Sequence, residues 1–439
     1  VFRLGHIDVI SMGCSKNLVD SQRLMKMLES KGYTLSHDPA VPSGEYVVVN
    51  TCGFIGDAKE ESIELLLGLA RLKEEGVIGR IAVMGCLSQR YMEELEAEIP
   101  EVDCWYGKFD WRGFADSLPD RNGAFEDRPK PWERVLTGNP WSAYIKISEG
   151  CNRFCAFCAI PLITGRHTSR PIGEIIEETR QLVGKGVKEF NIIAQDLSYY
   201  GMDIYGRHAL AELVDRMADI KGVEWIRLHY AYPTDFPYDI LPVMARRDNV
   251  CKYLDIALQH ISDPVLDRMR RNFNASQTRE LIERIRREVP GIRLRTTLMV
   301  GFPGETEDDF RKLVDFVREA RFDRMGAFAY SEEEGTHAAL HLKDDVDDST
   351  KQRRLDELMA AQEAIASELN EAMAGMRLKV LVERTEDGMI VGRTQYDSPE
   401  VDPEILVSPA EIGNLPVPGE MIDVEVSGSD AYDLRGIQV

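Results

Sequence analysis

Apolar runs and amphipathic stretches alternate along most of this chain, and the alternation predicts its architecture. HIDVISMG (6–13) reads as a strand, DSQRLMKMLESKG (20–32) as a helix closed by a glycine, and YVVVN (46–50) as a buried strand. KEESIELLLGLARLKEEG (59–76) supplies a second helix and RIAVMG (80–85) a third strand. This βαβαβ order predicts an α/β domain over residues 1–130, an open parallel sheet flanked by helices. Residues 120–140, rich in Pro, Gly and charge, read as a linker or strap. Beyond it, strands are predicted at 143–148, 188–194, 224–231, 253–259, 292–300 and 324–330, with helical patterns such as GEIIEETRQLVGKG between them. Six strand–helix units predict a partial (β/α) barrel over 140–335, whose working face is the carboxyl ends of the strands. Residues 349–373 form one long amphipathic pattern, a connecting helix. After Gly375, MRLKVLVER, GMIVGRTQ, MIDVEVSG and YDLRGIQV are short strands parted by Gly, Pro and Asp, which predicts a small OB-like β-barrel over 375–439.

Composition adds limits. With 439 residues, 44% hydrophobic and 29% charged, the chain has room for two to four globular domains, each with a core. No apolar run approaches a membrane span and no signal-peptide pattern precedes the first strand, so a cytoplasmic protein with no membrane partner is expected. The net charge of -22 disfavours a general affinity for nucleic acid and suits a basic partner, or simply keeps the protein soluble.

The eight cysteines change the picture most. In a reducing compartment, clustered cysteines read as metal ligands rather than as disulfides. Cys151, Cys155 and Cys158 form CxxxCxxC, just after the first strand of the middle region. Thiolates are soft ligands that favour iron–sulfur clusters and zinc. Here the fourth corner has no cysteine, which leaves a cluster iron open to a substrate or cofactor. A structural zinc knuckle with a distant fourth ligand is the other reading. Cys14, Cys52 and Cys86 each follow an N-terminal strand, at the carboxyl edge where open α/β sheets bind ligands. A glycine touches each one (Gly13, Gly53, Gly85), which would let backbone approach a bulky ligand. They point to a second three-cysteine cluster, against the alternative of three small apolar core residues. Asn17, Asn50 and Thr51 lie beside them without a distinguishing pattern. Cys104 and Cys251 read as packing residues, His167 and His229 as satisfied polar ones.

Other strand ends in the middle region carry residues suited to a cofactor pocket: Gln195 and Asp196 after the second strand, Gln259 and His260 at the fourth, and Gly301, Pro303, Gly304 and Glu305 at the fifth. The last motif also reads as a helix start capped by Thr306. Arg270, in the helical stretch after the fourth strand, could reach a carboxylate or simply be exposed.

Phe157 before the third cysteine, the six-unit barrel, the triad of Cys14, Cys52 and Cys86, and the motifs EGCNRFCAFCAIP and TLMVGFPGET together resemble the radical S-adenosylmethionine methylthiotransferases over nearly the whole chain. The resemblance implies two [4Fe-4S] clusters, one on Cys151, Cys155 and Cys158 and one on Cys14, Cys52 and Cys86. It implies S-adenosylmethionine on the open iron of the first, with Phe157, Gln195, Gln259, Arg270, Gly301 and Pro303 as candidate cofactor contacts. The chemistry is then borne by the clusters, with no further catalytic side chain and with an electron donor such as a flavodoxin or ferredoxin as partner.

In the resemblance, residues 375–439 are a TRAM domain, commonly an RNA-binding module. Residues 371–439 nonetheless hold fourteen Asp and Glu against five Lys and Arg. That is the wrong sign for phosphate binding, so a basic protein target is expected and RNA contact is not expected to dominate. RTQYDSPEVD (393–402) and YSEEEGTHAA (330–339) resemble the branch of the family that methylthiolates the β-carbon of an aspartate in small-subunit ribosomal protein number twelve. One departure is His337, where that branch usually has Pro. The alternatives are the branch that modifies isopentenyl-adenosine in tRNA, and a non-catalytic metal-binding module that assembles on the ribosome.

Overall fold

The computed structural model describes residues 2–122, 128–410 and 415–439, so part of the predicted strap, 123–127, lies outside the described residues. In the first sheet β1 (Arg3–Ser11), β2 (Thr34–His37), β3 (Gly44–Thr51), β4 (Arg80–Gly85) and β5 (Cys104–Trp105) run parallel in the order β2-β1-β3-β4-β5. Three helices, α1 (Ser15–Ser30), α2 (Gly56–Glu74) and α3 (Cys86–Glu98), connect them. Val48 packs into the core on one face while Val47 and Val49 pack into the core on the other, as the two-residue period of a strand requires. The predicted strands and helices are all present. However, α1 starts at Ser15 rather than Asp20, because its polar first turn carries no apolar stripe for periodicity to detect. The edge strands β2 and β5, of four and two residues, are additions to the predicted set.

The middle region opens with β6 (Ser142–Lys146), then a two-stranded antiparallel ribbon of β7 (Ser148–Glu149) and β8 (Thr168–Ser169). The ribbon closes the base of the loop that carries Cys151, Cys155 and Cys158. β6 leads a six-stranded parallel sheet with β9 (Glu189–Ile193), β10 (Trp225–Ala231), β11 (Val250–Gln259), β12 (Arg293–Val300) and β13 (Arg324–Ala329), in the order β13-β12-β11-β10-β9-β6. All six predicted strands are there. The YSEEEGT segment that follows β13 ends at Thr336, which caps a short helix beginning at His337. His337 takes the first helical position, where a proline is also well accommodated.

The helix Asp348–Glu371 leads to a closed barrel of β14 (Arg377–Glu386), β15 (Met389–Thr394), β16 (Ile405–Ser408), β17 (Met421–Ser429) and β18 (Leu434–Gln438), ordered β14-β15-β16-β18-β17. The four-residue β16 was not predicted. This barrel docks on the amino ends of the six-stranded sheet: Arg393 pairs with Glu189, Arg324 with Asp397, and Asp402 accepts from Tyr253 and Arg295. Residues 128–140 of the strap are pinned at Arg134, which is buried, donates to Gln22 at 2.7 Å and to the Tyr144 carbonyl at 2.6 Å, and pairs with Glu178 at 3.0 Å.

Candidate functional site

The carboxyl ends of β1, β3 and β4 lie side by side, with Ser11 registered on Asn50 and Thr51 on Gly85. Cys14, Cys52 and Cys86 follow these ends. Cys14 caps α1 in extended backbone and opens to solvent, while Cys52 and Cys86 are buried. Gly13 has φ +81°, and a Cβ there would lie 2.7 Å from both Cβ and Sγ of Cys52. A Cβ on Gly85, at φ +109°, would meet Asn50 Oδ1 at 2.6 Å. The glycines therefore admit the neighbouring strand ends, not a bulky ligand: protein fills the room they free.

Asn17 ties this edge together. Its Nδ2 donates to the carbonyls of Met12 (3.1 Å) and Thr51 (3.0 Å), and its Oδ1 accepts from Lys108 at 3.2 Å and lies 3.8 Å from Cys86 Sγ. Asn50 donates to the Asn17 carbonyl at 2.9 Å, and Thr51 to that of Met84 at 2.7 Å. Lys108, 4% exposed, is the buried cation here, and a lone Lys in a loop offered no sequence signal for it. Although Cys14 opens to solvent on one side, desolvation by the protein around it raises its thiol; Lys16, Lys108 and the N–H groups of Asn17 and Lys16 outweigh this and hold Cys14 below an ordinary thiol. Burial pushes Cys86 up to about 12, with Lys108 opposing and Cys14 and Cys52 adding to the rise.

The second triad sits on the loop closed by β7 and β8. The Cys151 N–H donates to the Gly165 carbonyl at 3.2 Å. Cys155 Sγ accepts from Arg271 at 3.3 Å and lies 3.7 Å from the Tyr232 hydroxyl. Arg153 pairs with Asp196 at 2.7 Å and lies 4.4 Å over the Tyr232 ring. Burial pushes Cys151 up to about 12 and raises Cys158 as well. Ala159 and Ile163, just past Cys158, pack in one cluster with Cys86, so the segment that follows one triad touches a cysteine of the other. The YSEEEGT segment braces the same interface: Glu333 accepts from Gly56 N–H at 3.0 Å and pairs with Lys59 at 2.7 Å.

Among the described residues no three His, Cys, Asp or Glu side chains already form a closed metal-binding group. The chemistry of each donor set nonetheless fits an iron–sulfur cluster with one open corner. Three gathered soft donors, most with thiols raised by burial, need a multivalent soft cation to hold them as thiolates.

The remaining candidates divide. Gln195 donates to Glu149 at 3.1 Å, and its Oε1 is buried with no protein partner; Gln259, in a left-handed turn at φ +71°, likewise buries an unpaired Oε1. These two acceptors await donors. Phe157 packs edge-on to Phe302 with centroids 6.3 Å apart. Gly301 (φ +71°) lies against the stem of Lys351, and Pro303 is buried beside it. Glu305 turns back on this loop, accepting from the N–H groups of Gly301 (2.5 Å) and Phe302 (3.2 Å) and pairing with Arg354 (3.2 Å). Thr306 caps the helix Glu307–Ala320 in a capping box with Asp309, the predicted helix start. Arg270 is exposed at φ +57°, whereas the adjacent Arg271, 3% exposed, is the one that reaches Cys155. His229 is satisfied by Asn191, whereas His167 is only half satisfied, its Nε2 at 3.0 Å from the Ser169 hydroxyl and its Nδ1 buried without a partner among the described residues; Cys251 packs with Trp225, Tyr253 and Leu381. Cys104 packs at the edge of the first sheet. A groove of about 860 Å³ opens between that sheet's carboxyl edge, β6 and the small barrel, with Cys14, Asp38, Tyr144, Glu383, Glu400 and Glu404 along it.

An open parallel barrel with a cysteine triad after its first strand is the architecture of the radical SAM superfamily, which residues 145–317 match. Residues 6–107 match the uncharacterized protein family UPF0004, and residues 374–439 the TRAM domain. The solved structure of the radical S-adenosylmethionine methyltransferase TsrM from Kitasatospora setae, with cobalamin and a [4Fe-4S] cluster bound, covers 89% of this chain and 80% of its own. At TM-score 0.54 and 16% identity, that likeness is one of fold. The ribosomal protein uS12 methylthiotransferase RimO of Parabacteroides distasonis is 57% identical over 99% of both chains. Those of Porphyromonas gingivalis and Bacteroides fragilis are also 57% identical, over 98% of both chains. The chain belongs to the RimO family of ribosomal protein uS12 methylthiotransferases.

Proposed function

We propose that this enzyme methylthiolates the β-carbon of an aspartate in ribosomal protein uS12, with S-adenosylmethionine and two [4Fe-4S] clusters as cofactors. The observation that carries the reading is the packing of Ala159 and Ile163, just past one triad, on Cys86 of the other. When bound, the clusters and S-adenosylmethionine supply the electron transfer, C–S cleavage and sulfur that the reaction needs. Cys151, Cys155 and Cys158 hold one cluster and Cys14, Cys52 and Cys86 the other. Arg271 withdraws charge from Cys155 by donating a hydrogen bond to its sulfur, while the Tyr232 hydroxyl donates to the Arg271 carbonyl and steadies that residue. Gln195 and Gln259 offer their free carbonyl oxygens to donor groups of S-adenosylmethionine, and Phe157, Gly301 and Pro303 wall the same end of the barrel. Arg270 stands on an exposed turn, and Arg271 beside it is the arginine that reaches the cysteine loop.

The groove favours a basic protein over RNA, because its carboxylates, Asp38, Glu383, Glu400, Asp402 and Glu404, outnumber its two guanidinium groups, Arg384 and Arg393, which are already paired with Glu404 and Glu383. For this work the chain divides into residues 1–130, 140–335, the connecting helix 349–373 and the TRAM domain 375–439. A flavodoxin- or ferredoxin-type donor in the cytoplasm reduces it; among the described residues no helix is long and apolar enough to cross a membrane. The test is anaerobic incubation of the reconstituted enzyme, S-adenosylmethionine and reductant with uS12 or with isopentenylated tRNA, followed by mass spectrometry. A mass gain on the uS12 aspartate is expected, and a gain on the tRNA alone overturns the reading. Iron and sulfide in Cys14→Ala and Cys151→Ala should each fall by one cluster, with the other cluster spared.

A further inference from the structure

α1 begins at Cys14 and reaches across to the middle region along one face. Lys16, Asp20 and Arg23 are spaced i, i+4 and i+7, which is one helical stripe. Lys16 Nζ lies 4.0 Å over the Tyr230 ring at the end of β10, and Arg23 approaches Glu178 at 3.8 Å. Between them, Asp20 is shared by two ammonium groups, Lys146 at the end of β6 and Lys108 at 3.4 Å. The contacts continue in both directions. Lys108 donates to Asn17, whose Oδ1 lies 3.8 Å from Cys86 Sγ. Lys146 pairs with Glu149, two residues before Cys151, and Glu149 accepts from Gln195 at 3.1 Å. One polar chain therefore runs from Cys86 through Asn17, Lys108, Asp20, Lys146 and Glu149 to Gln195, from one triad to the loop of the other.

Asp20, Lys146 and Lys108 are 5%, 2% and 4% exposed. Burying them costs desolvation, and an apolar contact would hold a helix on a strand with less penalty. Paired charges add direction, since only one register of α1 on β6 satisfies them all. We propose that Asp20 and Lys146 are positioning residues that set the spacing and orientation of the two cysteine triads, keeping methylthiolation coupled to S-adenosylmethionine cleavage. The coupling half of this inference rests on the function proposed above; the spacing half does not.

The double variant Asp20→Asn/Lys146→Met removes one charge of each sign and leaves Lys108 and Glu149 to balance. Two readouts are taken from the reconstituted full chain: deoxyadenosine released per methylthiolated uS12, and the magnetic interaction between the two reduced clusters without substrate, by electron paramagnetic resonance. With iron and sulfide at wild-type content, the ratio should rise on the order of a hundredfold and the magnetic interaction should change. Wild-type values of both overturn the inference. If the double variant fails to load iron, Asp20→Asn alone, which keeps the shape of the side chain and weakens only its ammonium contacts, should change the magnetic interaction relative to wild type. An unchanged interaction there overturns the inference too. Should the wild type itself leave uS12 unmodified, the function falls, while the magnetic comparison still decides the positioning role.

Discussion

Glu189, at the head of β9, is the residue on which the docking of the TRAM barrel turns. It is fully buried; Arg393 forks onto its two oxygens at 2.9 and 2.6 Å, Arg227 stands at 3.2 Å, and the Ser142 hydroxyl donates at 2.7 Å. Burial raises its carboxyl, but Arg393 and Arg227 outweigh burial and hold it at about 2, against an ordinary 4.5. The difference corresponds to about 3 kcal/mol of stability by proton linkage. Because the folded value is the lower one, this stability is present above pH 4.5 and is lost as pH falls through about 2. Glu189→Gln keeps the shape but strips buried Arg227 of the carboxylate it pairs with and leaves Arg393 with Glu383, which costs about 3–5 kcal/mol. The two figures describe one interaction and are not additive. Trp141 and Trp225 pack at this contact with Leu381 and Met421, so tryptophan fluorescence during urea unfolding at pH 7 reads it. With a slope of about 2 kcal/mol/M, the midpoint should fall by roughly 2 M. A change below about 1 kcal/mol, or an acid-induced loss between pH 4.5 and 2 that persists undiminished in the variant, refutes the reasoning. Adding Arg227→Met to Glu189→Gln should recover part of the loss, since it removes the charge whose carboxylate partner was Glu189.

Gly13→Ala places a methyl 2.7 Å from Cys52 Sγ in a left-handed turn, so it should cost about 1–2 kcal/mol in backbone strain and displace Cys52. Iron and sulfide analysis should show loss of the N-terminal cluster with the Cys151 loop still loaded. Burial raises Glu305 to about 7 despite Arg354, so wild-type stability should decline as pH rises from 4.5 through about 7. Glu305→Gln should flatten that slope in thermal melts across the range; an unchanged slope assigns it elsewhere. Arg271→Met removes the guanidinium that donates to Cys155 and leaves the thiolate one hydrogen bond poorer. The reduction potential of the radical cluster should then fall, while iron content at the N-terminal triad stays constant.

Much of this was legible because the relevant signals are local. A strand with buried residues on both faces shows as a continuous apolar run, as YVVVN does, and three ligands within eight residues show as a motif. The strand-end cysteines were legible one step less directly: equivalent positions after β1, β3 and β4 become neighbours only if those strands pair in parallel, which the βαβ order implies. Arg271 against Arg270 marks the limit. The helix Asp263–Arg268 ends and the chain turns left-handed at Arg270, so adjacent arginines go to opposite environments, one to solvent and one to Cys155. No residue type or spacing distinguishes them beforehand.

The same limit explains why the contacts between regions went unread even where their segments stood out. RTQYDSPEVD and YSEEEGTHAA were singled out as strings, but their physical work is in their partners: Arg393 with Glu189, Asp402 with Tyr253 and Arg295, Glu333 with Lys59 and Gly56. Each pair joins residues distant along the chain, so neither half carries a period. Lys108, Asp20 and Lys146 are the extreme case, since a charged residue on an amphipathic helix or at a strand end ordinarily belongs to solvent. Their burial is decided by α1 lying on β6, and α1 follows directly on Cys14, its N-cap residue. The cysteine that marks the site in the sequence is thus also the residue from which its unmarked partners are oriented.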